Sequence, residues 1–367
     1  MWVALTAAIA GCASAPTIAV QAPATSFLGG YVRPNGRVAR PDQGNDTVSE
    51  GQAYGLLLAE ATGKPAEFSR IWRWTRDHLQ LPGGLFAYHA NAAGHVLSTE
   101  PASDADLLIA WALLRYHGPD AAARHQEGQR VAAAVLAQEV TDGPDDMPVL
   151  TAGPWATGDP ASLDPSYWAL PALTGLAQLT GDARWQQMAD EAVVLTDRLT
   201  QGGKVLPPNW ARLTANGALV PVAAPNGSEA QAQYGFDAER TVLWFATSCD
   251  PRARALAARW WALLRRPGRS QAQALRLNGH IINPDGAPLP LAAAAAAAHA
   301  AGHQDATIRL LKGALAQQHS WPTYYGGAWA ALAPALLTGV LDSACGPMVH
   351  PVNHESPSQF GVRRFGA

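Results

Sequence analysis

Apolar residues recur at spacings of three and four from residue 48 to about residue 340, whereas alternation of period two is scarce. The pattern predicts eleven helices, over 48–62, 66–79, 104–117, 120–138, 165–179, 182–200, 237–247, 250–266, 289–301, 303–317 and 323–337. They fall into pairs. Within several pairs the break is short and carries Gly, Pro or Asp, as in Thr62-Gly63-Lys64-Pro65, Gly118-Pro119-Asp120, Thr180-Gly181-Asp182 and Cys249-Asp250-Pro251. Between pairs lie long irregular segments, notably 80–103, 139–164, 201–236 and 267–288. Hairpins with short connections at one end and long ones at the other predict an all-α toroid whose site lies among the long loops. An open solenoid would repeat at a fixed length, and the unequal spacing here favours a closed ring. Six hairpins need twelve helices, and the twelfth is expected within 267–288.

The start of the chain reads differently. Residues 3–10 form an apolar run, too short to span a bilayer, which takes ~20 residues. The run leads into Ile9-Ala10-Gly11-Cys12-Ala13-Ser14-Ala15 and a Pro/Ala/Thr-rich stretch, the pattern of an export signal. Ile-Ala-Gly-Cys resembles a lipobox, with cleavage and lipidation at Cys12; cleavage after Ala15 is the alternative. The expected division is a signal and linker over 1–26, one barrel over 27–345 and an irregular tail over 346–367. Cys249 and Cys345 remain in the mature chain, and a single disulfide between them would suit an oxidising compartment.

Composition narrows the function. Hydrophobic residues make up 48% and charged residues only 15%, the balance of a packed helical protein rather than a disordered chain. Net charge is −3 with no accumulation of Lys and Arg, which argues against a nucleic-acid partner. The histidines are scattered and no Cys/His cluster has zinc spacing, so no metal or cofactor is expected. Some of the 13 Trp, among them Trp155 and Trp210, sit in Pro/Gly-rich stretches where flat faces suit sugar rings; the ordinary role of a Trp is core packing.

Acidic residues begin three of the predicted helices. Glu50 lies in Thr47-Val48-Ser49-Glu50, where Thr47-x-x-Glu50 also reads as a capping box. Asp104 and Asp106 precede the apolar run from Leu107, where a helix dipole favours acids in any case. Asp237 opens the helix that carries Arg240, and an N-cap with a salt bridge is its structural reading. All three sites start the first helix of a pair. In a ring of hairpins those helices run parallel, so the carboxylates should gather at one mouth beneath the long loops. Several acids facing one cavity shift each other's pKa, which is costly unless chemistry uses it. Paired carboxylates without a metal point to glycoside hydrolysis.

Thr-Val-Ser-Glu-Gly-Gln-Ala-Tyr-Gly, Ala-Ser-Asp-Ala-Asp-Leu-Leu-Ile-Ala and Phe-Asp-Ala-Glu-Arg strongly resemble glycoside hydrolase family 8. The resemblance spans roughly residues 28–340. Phe68-x3-Trp72-x-Trp74-Thr75, Gly84-Leu85-Phe86-Ala87-Tyr88 and Asp164-Pro165-Ser166-Tyr167 follow in the family's order. It implies an (α/α)6 barrel and an inverting endo-acting hydrolase of cellulose or mixed-linkage β-1,4-glucan, with chitosanase and xylanase as alternatives inside the family. A non-catalytic polysaccharide-binding toroid is the alternative outside it. By the same resemblance Glu50 matches the proton donor, Asp237 the base, and Asp104 the residue that holds the distorted sugar. Arg240 would orient Asp237 and contact substrate. Tyr88 stands where relatives often carry a Trp platform, and Tyr167 and the Tyr324-Tyr325 pair are candidates for the cleft or for the core. An inverting pair needs roughly 6.5–9.5 Å between carboxyl groups, against about 5 Å for a retaining one. The expected enzyme is a monomer, exported to the periplasm or beyond, serving either cellulose synthesis or degradation.

Overall fold

In a computed structural model the described residues, 18–226 and 230–341, form twelve α-helices. They are α1 (Gln21–Tyr31), α2 (Ser49–Ala61), α3 (Pro65–Leu79), α4 (Ser103–Leu114), α5 (Ala121–Gln138) and α6 (Leu170–Thr180). The second half adds α7 (Arg184–Leu199), α8 (Phe236–Ala246), α9 (Pro251–Leu264), α10 (Pro288–Ala300), α11 (Gln304–Ser320) and α12 (Tyr324–Leu337).

The even-numbered helices form the inner ring because little on them demands water. Every residue of α4 is buried, and α12 is buried at every position but Tyr325. A helix apolar all round belongs inside. The ring runs α2, α4, α6, α8, α10, α12 and back to α2. In α10 the alanines 292–298 are all inaccessible, and their small side chains let α8, α9, α11 and α12 approach closely. The outer helices show one face only. In α3, Phe68, Ile71, Trp72, Thr75 and Leu79 are buried at helical spacing while Arg73, Arg76 and Asp77 face solvent. Seven tryptophans, including Trp111, Trp244 and Trp329, are fully buried. Edge contacts of 5.3 Å between Tyr54 and Trp329 and 5.5 Å between Trp244 and Trp329 make an aromatic plug at the ring's centre.

The twelfth helix is not where periodicity placed it. Residues 267–288 instead hold an antiparallel hairpin, Ala272–Arg276 with Ile281–Gly286, whose inner edge also pairs with Gln233–Tyr234. The missing helix is α1, which packs beside α12 as its outer partner and closes the ring. Its sequence, with Pro23 and the Gly29-Gly30 pair, lacks a long apolar stripe, and only Pro23, Ala24, Phe27 and Leu28 are buried. For the same reason the expected linker boundary at Ser26 falls inside a helix. Helix α6 also starts later than expected, since residues 165–167 form a separate 3-10 turn.

The long connections carry short antiparallel strands that brace the mouth. Thr47–Val48 pairs with His89–Ala90, which pairs with Val96–Ser98. Ala161–Leu163 pairs with Trp210–Leu213, which pairs with Leu219–Val222. Val140–Asp142 pairs with Pro148–Leu150. Cys249 is disulfide-bonded; Cys345, the expected partner, lies outside the described residues, as do Cys12 and the tail from residue 342.

Candidate active site

Three helix starts meet at the mouth, and in two of them the acidic side chain is released from capping. Thr47 does not cap α2: its hydroxyl donates to the Val38 carbonyl at 3.0 Å and accepts from Arg37 at 2.9 Å. Glu50 therefore points away from its own helix end. At α8, Asn209 from the distant 201–236 connection accepts from the N–H groups of Gly235 at 2.8 Å and Ala238 at 3.1 Å, doing the work of an N-cap. Asp237 is left free to face the groove. Asp104 keeps a local bond from the Ala105 N–H, 2.8 Å to Oδ1, and directs Oδ2 inward.

Arg240 is the centre. Its Nη1 donates to Glu50 Oε1 and to Asp104 Oδ2, both at 2.7 Å, and lies 3.4 Å from the Tyr54 hydroxyl. Its Nη2 faces Asp237 Oδ1 at 3.5 Å and Asp164 Oδ2 at 3.8 Å. Its underside rests on the Tyr167 ring, 5.3 Å from the centroid. Tyr54, one turn on from Glu50, donates to Glu50 Oε1 at 2.5 Å. One guanidinium thus serves four carboxyl groups and occupies the middle of the cluster. Contacts of 2.7 and 3.5 Å to nitrogens about 2.3 Å apart put Glu50 Oε1 and Asp237 Oδ1 no more than about 8.5 Å from each other.

Burial sets the proton affinities. Asp104 is pushed up to about 7, first by burial and further by the Glu50 charge, against the opposing pull of Arg240 and the Ala105 N–H. Asp164 is raised well above the carboxylate range by burial and by Asp237. Asp237 is raised by burial more than Arg240 and the Trp210 hydrogen bond lower it. Burial thus outweighs the pull of the neighbouring guanidinium at this position. A base with raised affinity is nearer the working pH, which favours proton abstraction. Its side chain remains 37% exposed towards the groove. Burial also raises the Tyr54 and Tyr167 hydroxyls well above 10, so both stay protonated.

Glu50, Asp104, Asp237, Arg240, Tyr88, Tyr167 and Tyr324 all line one cavity of about 330 Å³. Tyr88 is 40% exposed at its rim, while Tyr324 lines the cavity from a buried position. A second cavity, about 600 Å³, shares Phe236 and Tyr325 with the first and extends to Trp321. In the other run, Tyr167 lies 6.3 Å from Trp210, and Trp210 lies 6.5 Å from Trp155. Sequence reading missed Tyr54 and the capping role of Asn209, and it did not assign Asp164 a place in the site although Asp164-Pro165-Ser166-Tyr167 was among the recognisable pieces. Spacing i to i+4 from Glu50 was the one local signal for Tyr54; nothing local marks Asn209. Among the described residues no group of three or more His, Cys, Asp or Glu is arranged to hold a metal ion.

The model of glycosyl hydrolases family 8 matches residues 2–263. The chain belongs to this family. Among its relatives, a probable endoglucanase of Novacetimonas hansenii is 31% identical over 245 residues, 64% of this chain and 70% of that protein. An endoglucanase of Cellulomonas uda is 29% identical over 249 residues, 66% of this chain and 67% of that protein. The solved endo-β-1,4-glucanase of Acetobacter xylinum superimposes with a TM-score of 0.70 at 28% identity, covering 88% of this chain and 99% of that one. The family 8 hydrolase described here therefore has the (α/α)6 barrel and glycosidase class that the motifs implied.

Proposed function

We propose that this hydrolase cleaves β-1,4-glucan internally with inversion, with Glu50 as general acid and Asp237 as general base. The observation that carries the reading is the convergence of Glu50, Asp104 and Asp237 on Arg240 at the floor of one groove. Two runs of aromatic faces lead away from the carboxylates, Tyr167–Trp210–Trp155 and Phe236–Tyr325–Trp321, a track suited to a polymer.

Both protein hydrogen bonds to Glu50 fall on Oε1, so Oε2 is the oxygen that delivers a proton to the glycosidic oxygen as the bond to the anomeric carbon breaks. Asp237 takes a proton from water as that water attacks the opposite face. The bound of about 8.5 Å between the two groups overlaps the roughly 6.5–9.5 Å of an inverting pair and sets no minimum, so the anomer of the fresh product decides between inversion and retention. Asp104 and Arg240 brace the sugar at the point of cleavage.

Reducing-sugar release should be highest on soluble cellulose or mixed-linkage glucan among a panel that includes xylan and chitosan. Glu50→Gln should fold normally and lower turnover by about 10³-fold, within the range for a lost general acid. NMR of fresh product should show the α-anomer first. Wild-type turnover in Glu50→Gln, or an initial β-anomer, would refute the assignment; glucan binding with no release of reducing ends would turn the reading to a non-catalytic toroid. The apolar run 3–10 and Cys12, outside the described residues, support export in a lipid-anchored or released form. Cell fractionation with N-terminal mass analysis tests this, and an unprocessed cytoplasmic chain would overturn it.

A further inference from the structure

Behind the catalytic cluster lies a second acid pair that the mechanism does not use. Asp106, on α4, and Glu139, just past the end of α5, are both fully inaccessible to solvent. Their carboxyl groups face each other, and Asp106 Oδ2 and both Glu139 carboxyl oxygens are buried with no other hydrogen-bond partner. Ionised carboxylates only accept, so the facing oxygens are satisfied only if one group carries a proton and donates it to the other. Asp106 Oδ1 already accepts the Phe86 N–H at 2.8 Å, and Asp106 Oδ2 has no other protein partner. The accepted N–H favours the ionised form of Asp106, which leaves Glu139 as the member that carries the proton and donates it to Oδ2. The charged groups that face the pair are each other and Asp104; no basic side chain among the described residues acts on either.

We propose that Asp106 and Glu139 share one proton and act as positioning residues, tying the start of α4 to the loop that carries Tyr88 and, through it, to the start of α2. The connections are short. Asp106 holds Phe86, two residues before Tyr88, and the Tyr88 carbonyl accepts the Ser49 N–H at 2.9 Å, next to Glu50. On the other side the Glu139 carbonyl accepts the N–H and the hydroxyl of Thr151, both at 2.9 Å, and the Thr151 carbonyl accepts the Ser103 hydroxyl, next to Asp104. The proton-sharing pair therefore closes a circuit that passes beside both Glu50 and Asp104. Burial, and within Glu139 the nearby Asp106, raise both groups well above the usual carboxylate range, in keeping with a proton retained at neutral pH.

The sign of the pH effect follows. A carboxyl group whose folded affinity is raised contributes stability that is complete below its unfolded pKa, near 4, and is lost as pH rises through the folded value. Glu139→Gln reproduces the protonated pair at every pH, because an amide N–H donates to Asp106 as the acid O–H does. Melting temperature measured from pH 5 to 10 should fall on the alkaline side in the wild type and fall less in Glu139→Gln. The melting readout needs no substrate, so it stands or falls apart from the glucanase reading. For positioning, Glu139→Gln should keep kcat within about threefold of wild type at neutral pH and extend the alkaline limb of kcat. Glu139→Leu should lose on the order of 10²-fold in kcat with a smaller change in KM, since misplacing groups by about 1 Å costs that much. Superimposable pH–melting curves for wild type and Glu139→Gln would overturn the shared proton. Folded Glu139→Leu with wild-type kcat, or a Glu139→Gln enzyme whose alkaline limb does not move, would overturn the positioning role.

Discussion

Arg240→Met tests the central claim that one buried cation holds the site together. The guanidinium is 4% exposed, and the acids around it, Glu50, Asp104 and Asp164, are 17%, 5% and 0% exposed. Methionine fills much of the same volume but leaves these carboxyl groups without their counter-charge. Removing one partner of a buried ion pair costs about 3–5 kcal/mol. At about 2–4 °C per kcal/mol for a large domain, that is a fall in Tm on the order of 10 °C. The cost has a pH signature. Without the arginine Asp104 and Asp164, already raised by burial, bind their protons still more tightly in the folded state, so their contribution is preserved below the unfolded value near 4 and lost as pH rises. The deficit of Arg240→Met against wild type should accordingly be larger at pH 8 than at pH 5. Arg240→Lys restores charge but not the fork: an ammonium cannot reach Glu50 and Asp104 from one side and Asp237 from the other. It should recover part of the stability and little of the turnover. Circular-dichroism melts at the two pH values, with reducing-sugar assays on the same preparations, decide the matter. An Arg240→Met protein melting within about 2 °C of wild type at pH 8 would refute the reasoning, because about 3 kcal/mol cannot hide in so small a shift.

Two further outcomes follow from the same geometry. Asp104, held at about 7 against an ordinary 3.8, contributes stability that is complete below 3.8 and disappears as pH climbs through 7; Asp104→Asn, neutral throughout, should flatten the wild-type decline in melting temperature between pH 5 and 8, and parallel curves would contradict it. Trp321 is 74% exposed at the far end of the extended cavity, so Trp321→Ala should leave stability unchanged while raising KM for long oligosaccharides by about 3- to 10-fold, the worth of roughly 0.5–1.5 kcal/mol of aromatic stacking; equal effects on cellotriose and cellohexaose would refute a place in the track.

How far the molecule could be read from its sequence depended on whether the decisive contacts were local. The inner and outer helices announced themselves because burial all round and burial on one face leave different patterns, as α4 and α3 show. Helix α1 escaped because its packing comes from closing a ring with α12, some 300 residues away, and not from its own stripe. The acids at three helix starts were legible as candidates, yet each had a capping explanation of equal local merit. What removes that explanation is non-local: Asn209 takes over the cap of α8, and Thr47 turns to Arg37 and Val38. Asp106 next to Asp104 looked like another first-turn acid, and only the approach of Glu139 from the next helix gives it a distinct function.

The cluster also explains why the fold carries so many acids at a cost to its own stability. The N-termini of α2, α4 and α8 present partial positive charge to the mouth, and Arg240 adds a full one. That is still less than the acids gathered there, and burial wins at Asp104, Asp164 and Asp237, each of which binds its proton more tightly than in water. A better-compensated site, with a second arginine, would be more stable and would hold every carboxylate ionised. A general acid and a general base working at one bond need groups that can exchange protons near neutral pH. The undersupply of positive charge is therefore the feature that keeps the mouth reactive, and the surrounding ring of buried apolar helices supplies the stability that the mouth gives up.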